Sequence, residues 1–198
     1  ENLLVALSID GVSDYEAEAM ADSLTDWLDE DGYISGSGAE DDDYASREFP
    51  FLAANHYLAS VNELRLIEHF TAKIILALKP YVCVLPQSSD HKININTLDE
   101  EKVELLQALL NSSLDEAQQV LSARDEGGFD KIADFHEMPE LSTIKLEQWQ
   151  KDQFVVDSQY FLLKSKADFN DSYFFLNSII QVKDDEKIQI ISRTIGRN

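Results

Sequence analysis

The stretch SQYFLLKSKADFNDSYFFLNSIIQVKDDEKIQIISRTI, residues Ser158–Ile195, has a pattern unlike that of the chain before it. Three of its segments, Ser158–Phe169, Ser172–Val182 and Lys187–Ile195, are rich in Tyr, Phe and Ile and partly alternate apolar with polar residues. That pattern is typical of β-strands, and the charged residues KDDE at Lys183–Glu186 predict a hairpin loop between the last two. The chain is therefore expected to end in a run of antiparallel strands.

The residues before Trp149 predict helices. Four capping boxes of the form S/T-x-x-E each precede apolar residues at three- and four-residue spacing, which indicates the start of an amphipathic helix. The boxes are Ser13…Glu16, Ser60…Glu63, Thr97…Glu100 and Ser113…Glu116. The first begins a helix predicted over 14–29. A run of helices followed by a run of strands predicts an α+β fold.

Composition limits the possible partners. The chain has 198 residues, is 44% hydrophobic and carries a net charge of −22. This length and apolar content allow a sizeable core, whereas the negative charge disfavours nucleic acid and anionic lipid as partners. No run of eighteen apolar residues is present, so no bilayer-spanning segment is predicted.

Several apolar residues are expected in the core. The single cysteine, Cys83, lies in the apolar stretch YVCVLP and cannot form an internal disulfide, so a buried free thiol is predicted. Burial is also expected for Trp27, Trp149, Phe174 and Phe175, because large aromatic residues are more often core than binding site.

The stretch DWLDEDGYISGSGAEDDDY, Asp26–Tyr44, holds eight carboxylates in nineteen residues and three of the seven glycines. A solvated surface loop is one interpretation. Against it, Asp26 and Asp29 share one face at the C-terminal end of a helix, where the helix dipole disfavours negative charge. The three glycines also allow the backbone to turn back on itself, which would bring the later carboxylates towards the earlier ones.

Converging carboxylates repel each other unless a cation lies between them. Oxygen ligands without nearby His or Cys favour a hard ion, and a flexible loop favours calcium over magnesium. A literal EF-hand over Asp29–Glu40 is excluded, because its sixth position is Ile34 instead of Gly. The predicted calcium ligands are Asp29, Asp31, Glu40, Asp41 and Asp43, with Asp26, Asp42 and Asn55 as lesser candidates.

Five blocks in order carry a family resemblance: DWLDEDG, GSGAEDDDY, FPFLAANHYLASVNELRLI, YVCVLP and KININTLDEEKVELLQAL. Together they resemble the minor pseudopilin K family (GspK) of the bacterial type II secretion system. The resemblance implies a pilin-like α/β domain interrupted by a large helical insertion with SAM-like or helix-hairpin-helix-like units. Residues 1–152 would form the insertion, with a calcium loop at 26–43, and residues 153–198 the last strands of the pilin-like domain.

The same resemblance implies the biological setting. The family member is a non-enzymatic subunit that caps the pseudopilus tip with the I and J type minor pseudopilins and supports protein export, with secreted substrates as further possible partners. An N-terminal helix would anchor it at the periplasmic face of the inner membrane. That helix and the first strand are not in this sequence, which begins at Glu1 as though cut from a longer precursor.

Residues 93–135 carry a second resemblance, to a helix-hairpin-helix unit of DNA-binding domains. The hairpin position reads LLNSSLDE, without the glycines that approach a phosphate, and basic residues are sparse. The unit is therefore interpreted as protein-binding, with no nucleic acid partner. Asn94 and Asn96 are expected to cap turns and tie the loop to the following helix.

No constellation of catalytic residues is evident. The four histidines, His56, His69, His91 and His136, are scattered along the chain, and no nucleophile elbow or phosphate loop is present. An enzyme is therefore not expected. Besides the tip subunit, an extracellular calcium-binding recognition or adhesin module is the alternative interpretation.

Overall fold

The computed structural model describes residues 1–85, 88–89, 91–170, 172–183 and 187–196. Within them the protein has a helical part followed by a sheet. The α-helices are α1 Asn2–Ala6, α2 Asp14–Leu28, α3 Asp41–Ala45, α4 Ala72–Leu78, α5 Val103–Leu110, α6 Leu114–Ser122, α7 Ile132–His136 and α8 Gln148–Lys151. The strands are β1 Ile93–Asn94, β2 Phe154–Val155, β3 Tyr160–Phe169, β4 Ser172–Val182 and β5 Ile188–Ile195. The predicted α+β class is confirmed.

Three of the four predicted capping boxes are present. Ser13 and Ser113 begin α2 and α6, and Ser60 begins a 3-10 helix at Val61–Arg65. The prediction for Thr97 was wrong, because Thr97 ends one 3-10 turn and Asp99 caps the next, where its carboxylate accepts a hydrogen bond from Glu101 N. A carboxylate at the N-cap accepts backbone N–H groups as a hydroxyl does, so an adjacent Asp can replace the Thr.

The helical part contains two separate apolar clusters. The first is formed by residues between Leu4 and Leu78 and is centred on α2 and α4, with Trp27 and Tyr44 in edge-to-face contact. The second is formed by residues between Ile95 and Phe154, and includes α5, α6 and the fully buried Phe135. Each cluster gathers residues that are close in sequence.

Polar contacts and one helix join the two clusters. Helix α1 packs against α5, and Asn2 Nδ2 donates to Ala108 O. Lys102 Nζ donates to Pro80 O at 2.6 Å, and Tyr81 hydroxyl donates to Glu104 at 3.2 Å. A cleft of about 950 Å³ lies between residues of the two clusters and includes the 81–85 segment in its wall.

Cys83 lies in that wall and is exposed, so the prediction of a buried thiol was wrong. The neighbouring Val82 packs against the first apolar cluster, whereas Cys83 belongs to neither cluster. Cys83 pairs with no other cysteine, since the chain has one.

The helix-hairpin-helix-like unit has an asparagine at its bend. Asn111 ends α5 in the left-handed region, with φ 51°, a conformation that Asn tolerates better than other non-glycine residues. The side chain of Asn94 caps the turn at Asn96, as predicted. Asn96 does not bind the following helix, because its amide donates to Phe129 O and Val156 O and so ties β1 to distant segments.

Strands β3, β4 and β5 form a three-stranded antiparallel sheet in sequence order. The loop predicted at Lys183–Glu186 lies mostly outside the described residues, although Lys183 N donates to Lys187 O. The short β1 and β2 form a separate parallel pair.

The register places apolar residues on one face of the three-stranded sheet. Paired residues share a face, so among the residues whose side chains are described this face carries ten apolar residues across the three strands. They are Phe161, Leu163, Ala167, Phe174, Leu176, Ile180, Val182, Ile188, Ile190 and Ile195. The opposite face is mixed, with Lys164, Lys166, Asn177 and Gln181 among its residues.

The apolar face is uncovered in this chain. Phe174 is 62% and Ile195 is 78% exposed, and neither apolar cluster of the helical part includes a residue of the sheet. The prediction of burial was therefore wrong for Phe174, and it was also wrong for the exposed Trp149, whereas Trp27 is buried and Phe175 half-buried. Among the described residues, no helix has the length and apolarity needed to cross a membrane.

Candidate metal centre

One face of α2 leads into the acidic loop. Asp22, Asp26 and Asp29 are spaced by four and three residues, which places them on one side of the helix. Asp22 accepts a hydrogen bond from Ser37 N at 2.9 Å, and Asp26 accepts one from Ser35 N at 3.0 Å. These two carboxylates thus hold the returning loop against α2.

Asp29 ends the helix and turns the chain into that loop. It is the C-cap of α2, with an extended backbone at φ −78° and ψ 170°. Asp31 then closes a local turn by accepting from Tyr33 N at 2.9 Å, and Glu40 precedes α3. One carboxylate oxygen from each of Asp29, Asp31 and Glu40 lies within 4.8 Å of the other two.

Several oxygens at this point are buried without a hydrogen-bond partner. They are Asp29 Oδ1, both carboxylate oxygens of Glu40, and Asn55 Oδ1. An unpaired buried carboxylate costs several kcal/mol, so such oxygens are normally hydrogen-bonded or bound to a metal. Buried carboxylate oxygens of Asp29 and Glu40 that lack a full set of hydrogen-bond donors suit an oxygen-ligated cation.

Asn55 approaches the C-terminal end of α2 from a different part of the chain. Its backbone N–H donates to Trp27 O at 3.0 Å, and its φ of 46° lies in the left-handed region. This contact fixes the 51–55 segment to the end of α2. Asn55 was a lesser candidate from sequence, and its amide oxygen is buried without a hydrogen-bond partner.

Glu40 lies in a strongly anionic environment. Burial raises the pKa of Glu40 above its ordinary value, and the negative charges of Asp26, Asp29 and Asp41 raise it further. A divalent cation among these groups would reverse both effects, because it would favour the ionised carboxylate.

The remaining predicted ligands have other contacts. Asp41 Oδ1 accepts from Ala53 N at 2.8 Å, and Asp43 Oδ2 accepts from Glu40 N at 3.0 Å. Asp26 is fully buried and bonded to Ser35 N, and Asp42 is exposed in the first turn of α3. The structure therefore brings together Asp29, Asp31 and Glu40. Asp26, Asp41 and Asp43 instead accept hydrogen bonds from backbone N–H groups.

Asp22 was missed by the sequence analysis. It lies before the acidic stretch, but its carboxylate holds Ser37 and packs against Gly36, whose φ is +45°. Its position one helical turn before Asp26 was the available signal.

Gly38→Ala is expected to destabilise the loop by about 1–2 kcal/mol, through overpacking. An added Cβ would lie 1.9 Å from Asp26 Oδ2 and 2.9 Å from Ser35 O, and the buried Asp26 has no space to move away. Thermal unfolding measures the effect. Gly32→Ala is the matched control, because a Cβ there meets nothing within 4 Å. Equal melting temperatures for the two variants would contradict the observed packing.

The histidines do not join this site. His56, His69 and His91 each contact a backbone carbonyl through a ring nitrogen, in three separate places. His136 is half-buried, and burial lowers its pKa.

The fold and site define an α+β protein with an oxygen-rich candidate cation site in its helical part and a three-stranded antiparallel sheet at its end. Two family models, both described as type II secretion system protein K, match residues 1–87 and residues 93–157. These ranges correspond closely to the two apolar clusters.

Curated relatives of this chain carry the same description as the two family models. The chain is 37% identical over 190 residues to type II secretion system protein K of Aeromonas hydrophila, covering 93% of this chain and 56% of the relative. It is 33% identical over 183 residues to the protein of the same description from Dickeya chrysanthemi, covering 91% and 49%. The chain thus spans about half the length of the curated relatives it matches.

A solved structure gives the same result for the fold. A chain in the crystal structure of the GspK-GspI-GspJ complex from the type II secretion system of enterotoxigenic Escherichia coli matches with a TM-score of 0.86 and 31% identity. The match covers 100% of this chain and 69% of that chain. The protein belongs to the type II secretion system protein K family.

Proposed function

We propose that this protein is a non-enzymatic structural subunit at the tip of the type II secretion pseudopilus, where it supports protein export. The observation that carries the proposal is the match along the whole chain, with a TM-score of 0.86, to a chain of a complex named for GspK, GspI and GspJ. The proposed partners are therefore I and J type minor pseudopilins. The proposed location is the periplasmic face of the inner membrane.

The uncovered sheet face supports a longer pilin-like protein. Ten apolar positions on one face have no partner in either cluster, and the relatives are about twice as long as this chain. We propose that an apolar N-terminal helix of the full-length protein packs on this face, as the family resemblance implies. A large apolar sheet face otherwise favours aggregation.

Calcium is the proposed ligand of the acidic site. Asp29, Asp31, Glu40 and Asn55 would supply oxygen ligands, with backbone carbonyls or water completing the six to eight that calcium takes. When bound, the ion would neutralise the clustered carboxylates and fix the 29–40 loop to the 51–55 segment. The proposed role of the ion is structural, since it would join the acidic loop to a second segment of the chain.

Assembly is tested by mixing this chain with soluble domains of I and J type pseudopilins and measuring mass by light scattering after size-exclusion chromatography. A complex that contains all three proteins is expected, since the matched chain comes from a complex named for GspK, GspI and GspJ. Omission of either partner serves as the control. If all three folded proteins elute separately at concentrations of about 100 μM, well above a typical micromolar Kd, the proposal fails.

A further inference from the structure

A polar cleft lies beside the bend between α5 and α6 and shares no residue with the acidic site. Its volume is about 440 Å³, within the range of about 300–1,000 Å³ typical of small-molecule sites. Trp149 forms part of its wall and is 60% exposed. Neither the proposed cation site nor the sheet face includes these residues.

The turn that carries Trp149 is anchored to α5. The neighbouring Gln150 is buried, and its amide nitrogen donates to Leu109 O at 3.0 Å while its amide oxygen accepts from Glu147 N at 2.9 Å. These bonds attach α8 to the C-terminal end of α5. An exposed aromatic ring on an anchored turn is a preorganised contact surface, which lowers the entropic cost of binding.

The groups around the ring are polar. Asn111, Ser112 and Thr143 line the cleft and offer amide and hydroxyl groups, and Asn111 and Thr143 are exposed. A ligand for this cleft needs one apolar face to stack on the indole and an edge of hydrogen-bonding groups. A pyranose ring has both, because its axial C–H groups form a face and its hydroxyls form the rim.

The charge of the cleft disfavours anionic ligands. The chain has a net charge of −22, and Glu116 and Glu147 lie in the cleft wall, so nucleotides and acidic sugars would be repelled. The one wall lysine, Lys145, has its ammonium 3.6 Å from the Glu147 carboxylate, which offsets its charge. Quaternary ammonium ligands require several aromatic rings, and Trp149 is the one aromatic residue among the described residues of the wall.

We propose that this cleft binds a neutral β-1,4-linked oligosaccharide, with one sugar ring stacked on Trp149 and its hydroxyls hydrogen-bonded to Asn111 and Thr143. The β-1,4 linkage keeps the ring substituents equatorial, so the C–H faces of the sugar stay free for stacking. Glucose and N-acetylglucosamine polymers share this geometry. The site would give a secretion subunit an affinity for glycans that is independent of its assembly with other subunits.

The test uses the 198-residue protein with cellohexaose, chitohexaose and the α-1,4-linked maltohexaose. Tryptophan fluorescence reports binding, because the chain has two tryptophans and the other, Trp27, is 3% exposed. A saturable blue shift with cellohexaose or chitohexaose is expected, with a Kd of about 0.1–1 mM, and a weaker response with maltohexaose. Binding should change little between about 50 and 500 mM salt, since the ligand is neutral.

Variants assign the site, with binding followed by calorimetry so that the readout does not depend on Trp149. Trp149→Ala should weaken binding about tenfold or more, and Trp149→Phe less, because a smaller ring still stacks. Thr143→Arg should block the cleft without removing the indole. Phe49→Ala is the control, since Phe49 is 78% exposed and lies outside the cleft wall.

Two results would overturn the proposal. One is the absence of binding to both β-linked sugars at about 10 mM, an upper limit for a weak specific site. The other is wild-type affinity in either Trp149→Ala or Thr143→Arg, with folding of each confirmed by circular dichroism. Trp149→Ala should also retain assembly with I and J type partners, so a failure of that assembly is judged separately from glycan binding.

Discussion

Glu40→Gln is expected to stabilise the protein in chelator and to remove most of the stabilisation that calcium gives the wild type. Burial and neighbouring carboxylates raise the pKa of Glu40 in the folded state, so its ionisation opposes folding at neutral pH. The neutral amide avoids that cost. It also supplies a weaker ligand, so calcium should no longer raise the melting temperature by the same amount.

For the wild type, a ligand at one hundred times its Kd adds about 2.7 kcal/mol of stability, which corresponds to about 5–10 °C in a protein of this size. The measurement is thermal unfolding of both proteins in two conditions, with calcium and with chelator. The calcium concentration is about 10 mM, which is about one hundred times a Kd of ~10⁻⁴ M. Glu48→Gln is the matched control, because Glu48 is exposed and outside the cluster. Identical wild-type curves in calcium and chelator would refute the calcium proposal.

The sign of the pH dependence follows from the same group. A carboxyl group whose pKa is higher in the folded than in the unfolded state favours folding when it is protonated. This contribution to the free energy of unfolding is complete below the unfolded-state pKa and is lost as the pH rises through the folded-state pKa. In chelator, acidification from neutral pH should therefore stabilise the wild type relative to Glu40→Gln. With calcium the order reverses, because the ion binds the ionised carboxylate.

Leu163→Lys should destabilise the full-length protein by at least about 3 kcal/mol, whereas Leu162→Lys should have a small effect. The two residues are adjacent and are 50% and 53% exposed in this chain, but the register places them on opposite faces of the sheet. Leu163 lies on the apolar face that the proposed N-terminal helix covers. A lysine there would be buried under the helix without a partner.

The same pair in the 198-residue chain is the control. Both leucines are half exposed to solvent there, so the two lysine variants should melt within about 2 °C of each other, as expected for surface substitutions. Thermal unfolding of both lengths measures the difference, and secretion by cells that carry the full-length variants gives an independent readout. Equal destabilisation by the two variants at full length would show that the apolar face has no covering helix.

Local rules in the sequence determined most of the secondary structure. Ser13 and Ser113 cap helices because the hydroxyl and a glutamate three residues later satisfy backbone N–H groups within one turn. The strands β3 to β5 followed from aromatic and β-branched residues in partial alternation. The same rules failed at Thr97, where Asp99 two residues later provides an equally good cap.

The composition of the sequence also pointed to the acidic loop, because eight carboxylates close together repel each other unless a cation lies between them. It could not decide which of them converge. Tertiary structure did so, since the loop is held by long-range bonds such as Ser37 N to Asp22 and Asn55 N to Trp27 O. Those bonds turn Asp26 and Asp43 towards backbone N–H groups and leave Glu40 and Asn55 as orphaned acceptors.

Exposure was decided by tertiary structure alone. Trp149 and Phe174 are residue types that are usually buried, yet both are exposed. Trp149 lies at a turn beside a cleft, and Phe174 lies on an uncovered sheet face. Hydrophobicity gives the free energy available from burial, whereas burial itself depends on which surface packs against the residue. Local sequence therefore fixed the helices, strands and acidic loop, and only the packing of distant segments decided which side chains meet a partner.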